Sequence, residues 1–124
     1  MGHIAFTSRT ANLDIPGVFD ISPDDLAKCF GEAAASELAL IDVREISEFT
    51  GELGHIRDSK LIVLGSLPDQ IGALPKDKPI VFICKSGGRS ARAAAFAQSH
   101  GFDQVYNMKG GMMLWNSLKL PVER

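Results

Sequence analysis

Ile80-Val81-Phe82-Ile83-Cys84-Lys85-Ser86-Gly87-Gly88-Arg89-Ser90 runs directly into the alanine-rich stretch Ala91 to His100, and this junction decides the fold. Four consecutive β-branched or aromatic residues predict a strand covered on both faces. Gly87 and Gly88 break the run, alanines favour a helix after it, and Gly101 sits where a helix stops. Strand, tight loop and helix in that order form the repeating unit of a parallel sheet.

The same alternation continues in both directions. Upstream, Leu38-Ala39-Leu40-Ile41-Asp42-Val43 and Leu61-Ile62-Val63-Leu64 are continuous apolar runs that predict buried strands. Between them, Ile46 to Phe49 predicts one helical turn with Ser47 as its cap, before the turn region at Gly51 and Gly54. Leu67 to Leu74, with Pro68 at its start and Pro75 at its end, predicts a short helix. Further upstream, Ser22 reads as an N-cap, Pro23 as the first helical residue, and Asp24 and Asp25 as first-turn acids. Leu26, Cys29, Phe30 and Ala33 or Ala34 share one helical stripe, so Cys29 is expected to be a small buried hydrophobe. Downstream, Gln104-Val105-Tyr106 predicts a short strand, and Gly110-Gly111 opens a last helix carrying Met112 to Leu118. Residues 1–19 mix polar residues with glycine and proline and predict an extended arm; residues 20–124 form the domain. The expected architecture is α/β: a single domain with a mostly parallel central sheet of about five strands and helices on both faces.

Composition narrows the function classes. The 124 residues suit one domain, with 45% hydrophobic and 23% charged residues, the balance of a globular chain. The net charge of −2 gives no global attraction for nucleic acid or an acidic membrane surface. Two cysteines, Cys29 and Cys84, and three scattered histidines offer neither a disulfide scaffold nor metal-ligand spacing, so no metal and no cofactor are expected. No apolar run is long enough to span a bilayer, and the opening residues lack a signal pattern. The expectation is a cytoplasmic monomer without nucleic-acid or membrane partners.

Chemistry concentrates at the junction itself. Ligand sites in open α/β sheets lie beyond the carboxyl ends of the strands, where Cys84 stands. A curled glycine-containing loop can turn successive backbone N–H groups inward as an anion-binding nest. A helix N-terminus near Arg89 or Ser90 adds partial positive charge, and Lys85 and Arg89 add two full ones. All of these favour thiolate over thiol, which predicts an activated nucleophile.

The Cys84 to Ser90 segment resembles the active-site loop of rhodanese-type sulfurtransferases. The resemblance extends through Ile41-Asp42-Val43-Arg44-Glu45, Glu48-Phe49 and Gly54-His55-Ile56. It continues through Pro79-Ile80-Val81-Phe82, Gly101-Phe102, Val105-Tyr106-Asn107-Met108, and Gly110-Gly111 with Trp115. It implies that Cys84 cycles between thiolate and persulfide, taking sulfur from a small anionic donor such as thiosulfate. The acceptor would be cyanide, a thiol or a protein. Backbone N–H groups from Lys85 through Ser86, Gly87, Gly88 and Arg89 to Ser90 would hold the terminal sulfur. Lys85 would attract the donor; Arg89 would orient the loop, meet the donor or pair with a carboxylate. Asp42 and Arg44 would support the loop from behind, with a surface ion pair as the alternative for Arg44, and His55 would make a structural hydrogen bond. Trp115, Met112 and Met113 would pack the last helix, with one methionine at the pocket mouth.

Two departures from that pattern stand out. The usual Gly-His-Ile-Pro-Gly-Ala becomes Gly54-His55-Ile56-Arg57-Asp58-Ser59, and the Phe49 to Gly54 stretch is longer than common. Both are expected at the pocket rim, where Arg57 would add positive charge or simply be solvated. The rival readings are a sulfur-carrier or protein-binding module with little small-molecule turnover, and a cysteine phosphatase or arsenate reductase. The phosphatase chemistry goes with a wider loop than the four residues separating Cys84 from Arg89.

Overall fold

The computed structural model describes residues 10–12, 14–32 and 37–124, with only the backbone from 29 to 32. The strands are β1 (Thr10–Ala11), β2 (Phe19–Ile21), β3 (Ala39–Asp42), β4 (Lys60–Leu61), β5 (Ile80–Ile83) and β6 (Val105–Met108). The helices are α1 (Pro23–Glu32), α2 (Ile46–Phe49), α3 (Leu67–Gln70), α4 (Gly88–Ser99) and α5 (Gly111–Ser117). The strand order is β1-β2-β6-β5-β3-β4. β1 runs antiparallel to β2, and the other pairings are parallel.

The strand predicted from Ile80-Val81-Phe82-Ile83 is β5, with all four residues buried. Its side chains alternate between two cores, as the period of a strand requires. Ile80, Phe82 and Cys84 face Ala93, Ala94 and Ala97 of α4. Val81 and Ile83 face Leu26 of α1 and Met112 and Trp115 of α5. The sheet is therefore covered on both faces, and small alanines let α4 lie close to it. Burying each large apolar side chain contributes about 1.5–3 kcal/mol.

The sheet has six strands rather than about five, because the chain before residue 20 contributes to it. Thr10–Ala11 forms the edge, Val18 is buried, and Phe19 begins β2. The Asn12 side chain organises the turn between the two strands, accepting from the N–H groups of Asp14 and Ile15 at 2.9 and 3.0 Å. The rest of the expected arm, 1–9, lies outside the described residues, as do the side chain of Cys29 and positions 33 and 34.

Three local expectations change. Ser47 is inside α2 and does not cap it; Glu45 is the N-cap, and its N–H donates to the Glu48 carboxylate at 3.1 Å. A carboxylate three residues into a helix reaches back more easily than a serine already in the first turn. The run 61–64 stays extended only briefly. It is an edge strand with one neighbour, and after Ile62 and Leu64 bond to the Asp42 and Val43 carbonyls it turns into a 3-10 turn at Leu64–Ser66. The predicted 67–74 helix divides into α3 and a 3-10 turn at Ile71–Ala73, with Gly72 inside the break. Ser22 caps α1 as expected, its hydroxyl accepting the Asp25 N–H at 3.4 Å and donating to the Asp25 carboxylate at 2.9 Å. Among the described residues no helix is long and apolar enough to cross a membrane.

Candidate active site

Cys84 follows directly on β5, and its side chain is buried under the loop that leads to α4. Gly87 is the N-cap of α4 with φ +107°, a left-handed conformation that glycine adopts without penalty. This conformation turns the Gly87 N–H back to Sγ at 3.0 Å. Ser90 brings its hydroxyl to 3.3 Å from the same sulfur. Burial pushes the Cys84 thiol up. Hydrogen bonds from the Ser90 hydroxyl and from the N–H groups of Ser90, Gly87 and Ser86 outweigh it, and the thiol lies below its usual range.

The opposite side of the loop is held by α5. The N–H groups of Met112 and Met113 donate to the carbonyls of Cys84 and Lys85 at 2.9 and 3.0 Å. With those carbonyls turned onto α5, the N–H groups of Ser86, Gly87 and Ser90 are left to face the sulfur. Gly111 makes this docking possible: it has φ +60°, and a Cβ there would stand 2.4 Å from the Lys85 carbonyl.

Arg89 is held by a carboxylate. Its guanidinium grips Glu48 of α2 with two hydrogen bonds of 2.8 Å each, tying the start of α4 to α2. That bond, against an opposing contribution from burial, holds the Glu48 carboxyl down at about 2, from an ordinary 4.5. A depressed folded-state pKa means that the unfolded chain takes up the proton first. The pair therefore stabilises the fold above about pH 4.5, and its contribution is lost as pH falls from there toward about 2. Side-chain exposures of 31% and 28% admit solvent screening, which keeps the contribution near 1 kcal/mol. Glu48→Gln is expected to lower stability by about that amount at neutral pH. Urea titrations should show the gap to wild type closing between pH 4.5 and 2, and a pH-independent gap would refute the assignment.

Asp42 and Arg44 are not a surface pair. Their side chains are 0% and 1% exposed, joined by Nε–Oδ1 and Nη2–Oδ2 contacts of 2.9 and 2.8 Å. Arg44 also donates to the Gly54 carbonyl at 2.7 Å, so the pair fastens the end of β3 to the turn that begins the departing segment. His55 stacks on Phe49 at a ring separation of 3.9 Å, and its Nδ1 meets the Phe49 carbonyl at 2.9 Å.

Lys85 is exposed and, among the described residues, makes no ion pair. It lines an open cleft of about 350 Å³ together with Arg44, Glu48, Glu52, Leu53 and Met113. The longer Phe49 to Gly54 stretch thus supplies one wall. Of the two methionines, Met113 is 52% exposed at the cleft while Met112 is fully buried. Trp115 packs in the core and donates from its indole N–H to the Pro121 carbonyl at 2.9 Å. Arg57 lines a different cavity, of about 340 Å³, with Ile56, Trp115 and Val122, so it adds no charge to the cleft beside Lys85. Asp58, standing where the common pattern has glycine, still takes the left-handed conformation at φ +67°. Aspartate is among the few side chains that tolerate this conformation.

Sequence reasoning assigned no role to Glu48, Gly111 or the Asn107 side chain. Asn107 is buried on β6, adjoins the Ser90 hydroxyl, and donates from its amide to Asp20 of β2 at 3.1 Å. A lone amide within the buried Val105–Met108 strand was the one signal available, since such a group needs a partner.

The described residues contain no cluster of side chains able to hold a metal ion. What the loop can do is stabilise negative charge on sulfur. The profile of the rhodanese-like domain matches residues 22–118. A thiosulfate sulfurtransferase, GlpE, of Stutzerimonas stutzeri is 36% identical over 75% of this chain and 81% of its own length. A sulfurtransferase of Allochromatium vinosum is 31% identical over 73% of this chain and 82% of its own length. The crystal structure of a rhodanese-like domain protein from Staphylococcus aureus superposes with a TM-score of 0.72 at 28% identity, covering 85% of this chain and 98% of that one.

Proposed function

The chain belongs to the rhodanese-like domain family, and from that premise we propose that it is a sulfurtransferase working through a Cys84 persulfide. The observation that carries this reading is the buried Cys84 sulfur receiving the Gly87 N–H at 3.0 Å inside a loop whose N–H groups converge on it. In the first step the Cys84 thiolate attacks the sulfane sulfur of a donor such as thiosulfate. The donor's S–S bond breaks, and sulfite leaves with the electron pair. In the second, a nucleophilic acceptor takes the outer sulfur, and Cys84 departs as thiolate. Each step exchanges one bond for another, so no external oxidant or reductant is needed. Cyanide, a small thiol or a protein thiol fits the second role.

A loop that closes around one sulfur favours this over phosphate chemistry. Gly87 N–H already reaches Sγ, and Arg89, which a phosphatase would turn on its substrate, is engaged by Glu48. Incubation with thiosulfate should add the mass of one sulfur to the chain, and cyanide or dithiothreitol should remove it. Absence of the adduct, or its persistence in Cys84→Ser, would overturn the reading. Cys84-dependent hydrolysis of an aryl phosphate would replace it with the phosphatase. An adduct that forms normally but is passed only to a protein thiol would identify a sulfur carrier with the same intermediate.

Lys85 supplies the charge for an anionic donor, being the exposed cation of the cleft. Lys85→Ala is expected to raise the KM for thiosulfate by about 3–10-fold, in line with ~1 kcal/mol for a solvated charge contact. Transfer from an uncharged sulfane-sulfur donor, such as a neutral organic trisulfide, should be unchanged. Equal losses for both donors would show that the charge does not select between them.

A further inference from the structure

The polar groups behind Cys84 form a directed chain. Asp20 of β2 accepts from the Asn107 amide and from the Asn12 amide, both at 3.1 Å. The NH₂ of Asn107 thus faces Asp20 Oδ1, and its carbonyl oxygen faces Ser90. The Ser90 hydroxyl stands against that carbonyl on one side and against Cys84 Sγ, 3.3 Å away, on the other. A serine has one hydroxyl proton. The amide oxygen can only accept it, and so can a thiolate.

We propose that Asn107, held in orientation by Asp20, is a positioning residue that competes with Cys84 for the single Ser90 hydroxyl proton. When Cys84 is a thiol, its S–H donates to Ser90, and Ser90 donates to Asn107. When Cys84 is a thiolate, the Ser90 proton turns to Sγ, and the bond to Asn107 is given up. In a persulfide the negative charge resides on the outer sulfur, so Sγ releases the proton and the Ser90–Asn107 bond re-forms. This last consequence rests on the sulfur-transfer reading; the competition itself does not. It means that Asn107 opposes the bare thiolate and favours the loaded state.

The charged groups around the loop include Lys85 and Arg89 of the loop and α4, Asp42 at the end of β3 with Arg44 just beyond it, Glu48 of α2, and Glu52 in the stretch after α2. Asp20 stands at the far end of the chain of bonds. Substituting Ser90 or Asn107 changes none of these charges, which makes the pair testable without an electrostatic confound.

The measurement is the pH dependence of iodoacetamide alkylation, read by peptide mass spectrometry so that Cys84 is separated from Cys29. It requires no sulfur donor and therefore does not depend on the activity. Ser90→Ala should raise the apparent Cys84 pKa by about one pH unit, the effect of losing one hydrogen bond to a charge. Asn107→Ala should lower it by about half a unit, because Ser90 is then free to serve the thiolate. The double variant should match Ser90→Ala alone, because Asn107 acts only through that hydroxyl. Asn107→Val, better suited to a strand, should reproduce the alanine result if the alanine variant does not fold. A raised pKa in the Asn107 variants, or the same shift with and without Ser90, would overturn the proposal.

Discussion

Arg44→Met is expected to destabilise the protein by about 3–5 kcal/mol, the range for removing one partner of a buried ion pair. The reason lies in what is left behind. Asp42 is 0% exposed and would keep only the Arg44 backbone N–H, at 3.1 Å, while the Gly54 carbonyl would lose its 2.7 Å donor. A carboxylate in that position either stays charged without its partner or takes up a proton, and both are costly. For a chain of this length the loss corresponds to a fall in Tm of roughly 10–20 °C. Replacing both members with apolar residues, Asp42→Val with Arg44→Met, should cost less than Arg44→Met alone, because no charge is then stranded. Thermal and urea unfolding measure both. A cost below about 1 kcal/mol for Arg44→Met would mean that water reaches Asp42 freely.

Gly111→Ala should have the second large effect, acting on the loop as much as on stability. Its Cβ would lie 2.4 Å from the Lys85 carbonyl and 2.5 Å from that of Cys84, in backbone that cannot yield without moving the loop. The left-handed φ of +60° adds strain of about 1–2 kcal/mol for a residue with a Cβ. Together with overpacking, the expected loss is about 2–5 kcal/mol. In whatever fraction stays folded, α5 can no longer hold the carbonyls of Cys84 and Lys85 outward. The rate of sulfur loading should then fall by about 100-fold, as for an ångström-scale misplacement. Gly88→Ala is the control: beyond its chain neighbours and its own helix backbone no atom lies within 4 Å of the added Cβ, and it sits in the first turn of a helix. That substitution should leave stability within about 1 kcal/mol of wild type or slightly improve it. If Gly111→Ala retained wild-type stability and loading, the docking of α5 onto the loop would not be what shapes it.

Both predictions concern residues whose sequence signal was weaker than their structural effect. Arg44 lies two residues beyond Asp42, and that spacing announces a pair on one side of a strand end. Whether the pair meets water depends on the turn at Gly54, whose carbonyl closes over the guanidinium. Gly110-Gly111 reads as the opening of a helix, and it is: Gly110 is the N-cap of α5 and Gly111 its first residue. That Gly111 presses on the Cys84 loop follows from β6 lying beside β5 in the sheet, a neighbourhood that no local pattern encodes. The sequence leaves Arg89 open between donor and carboxylate; Glu48, 41 residues earlier in the chain, takes it with both oxygens.

Determined by sequence alone was the α/β class, together with the candidate place of the chemistry at the Cys84 junction. These rest on short-range physics: an unbroken apolar run must be covered on both faces, glycines must break it, and a thiol at the junction must face a helix N-terminus. Tertiary structure decided which groups surround that thiol and in which direction they shift its ionisation. Hydrogen bonds and ion pairs act over about 3 Å, so they are settled only when β2, β6, α2 and α5 are brought beside the loop. Hence Arg89 serves Glu48, Lys85 is left exposed at the cleft, and the Ser90 proton is contested between Cys84 and an asparagine on a neighbouring strand.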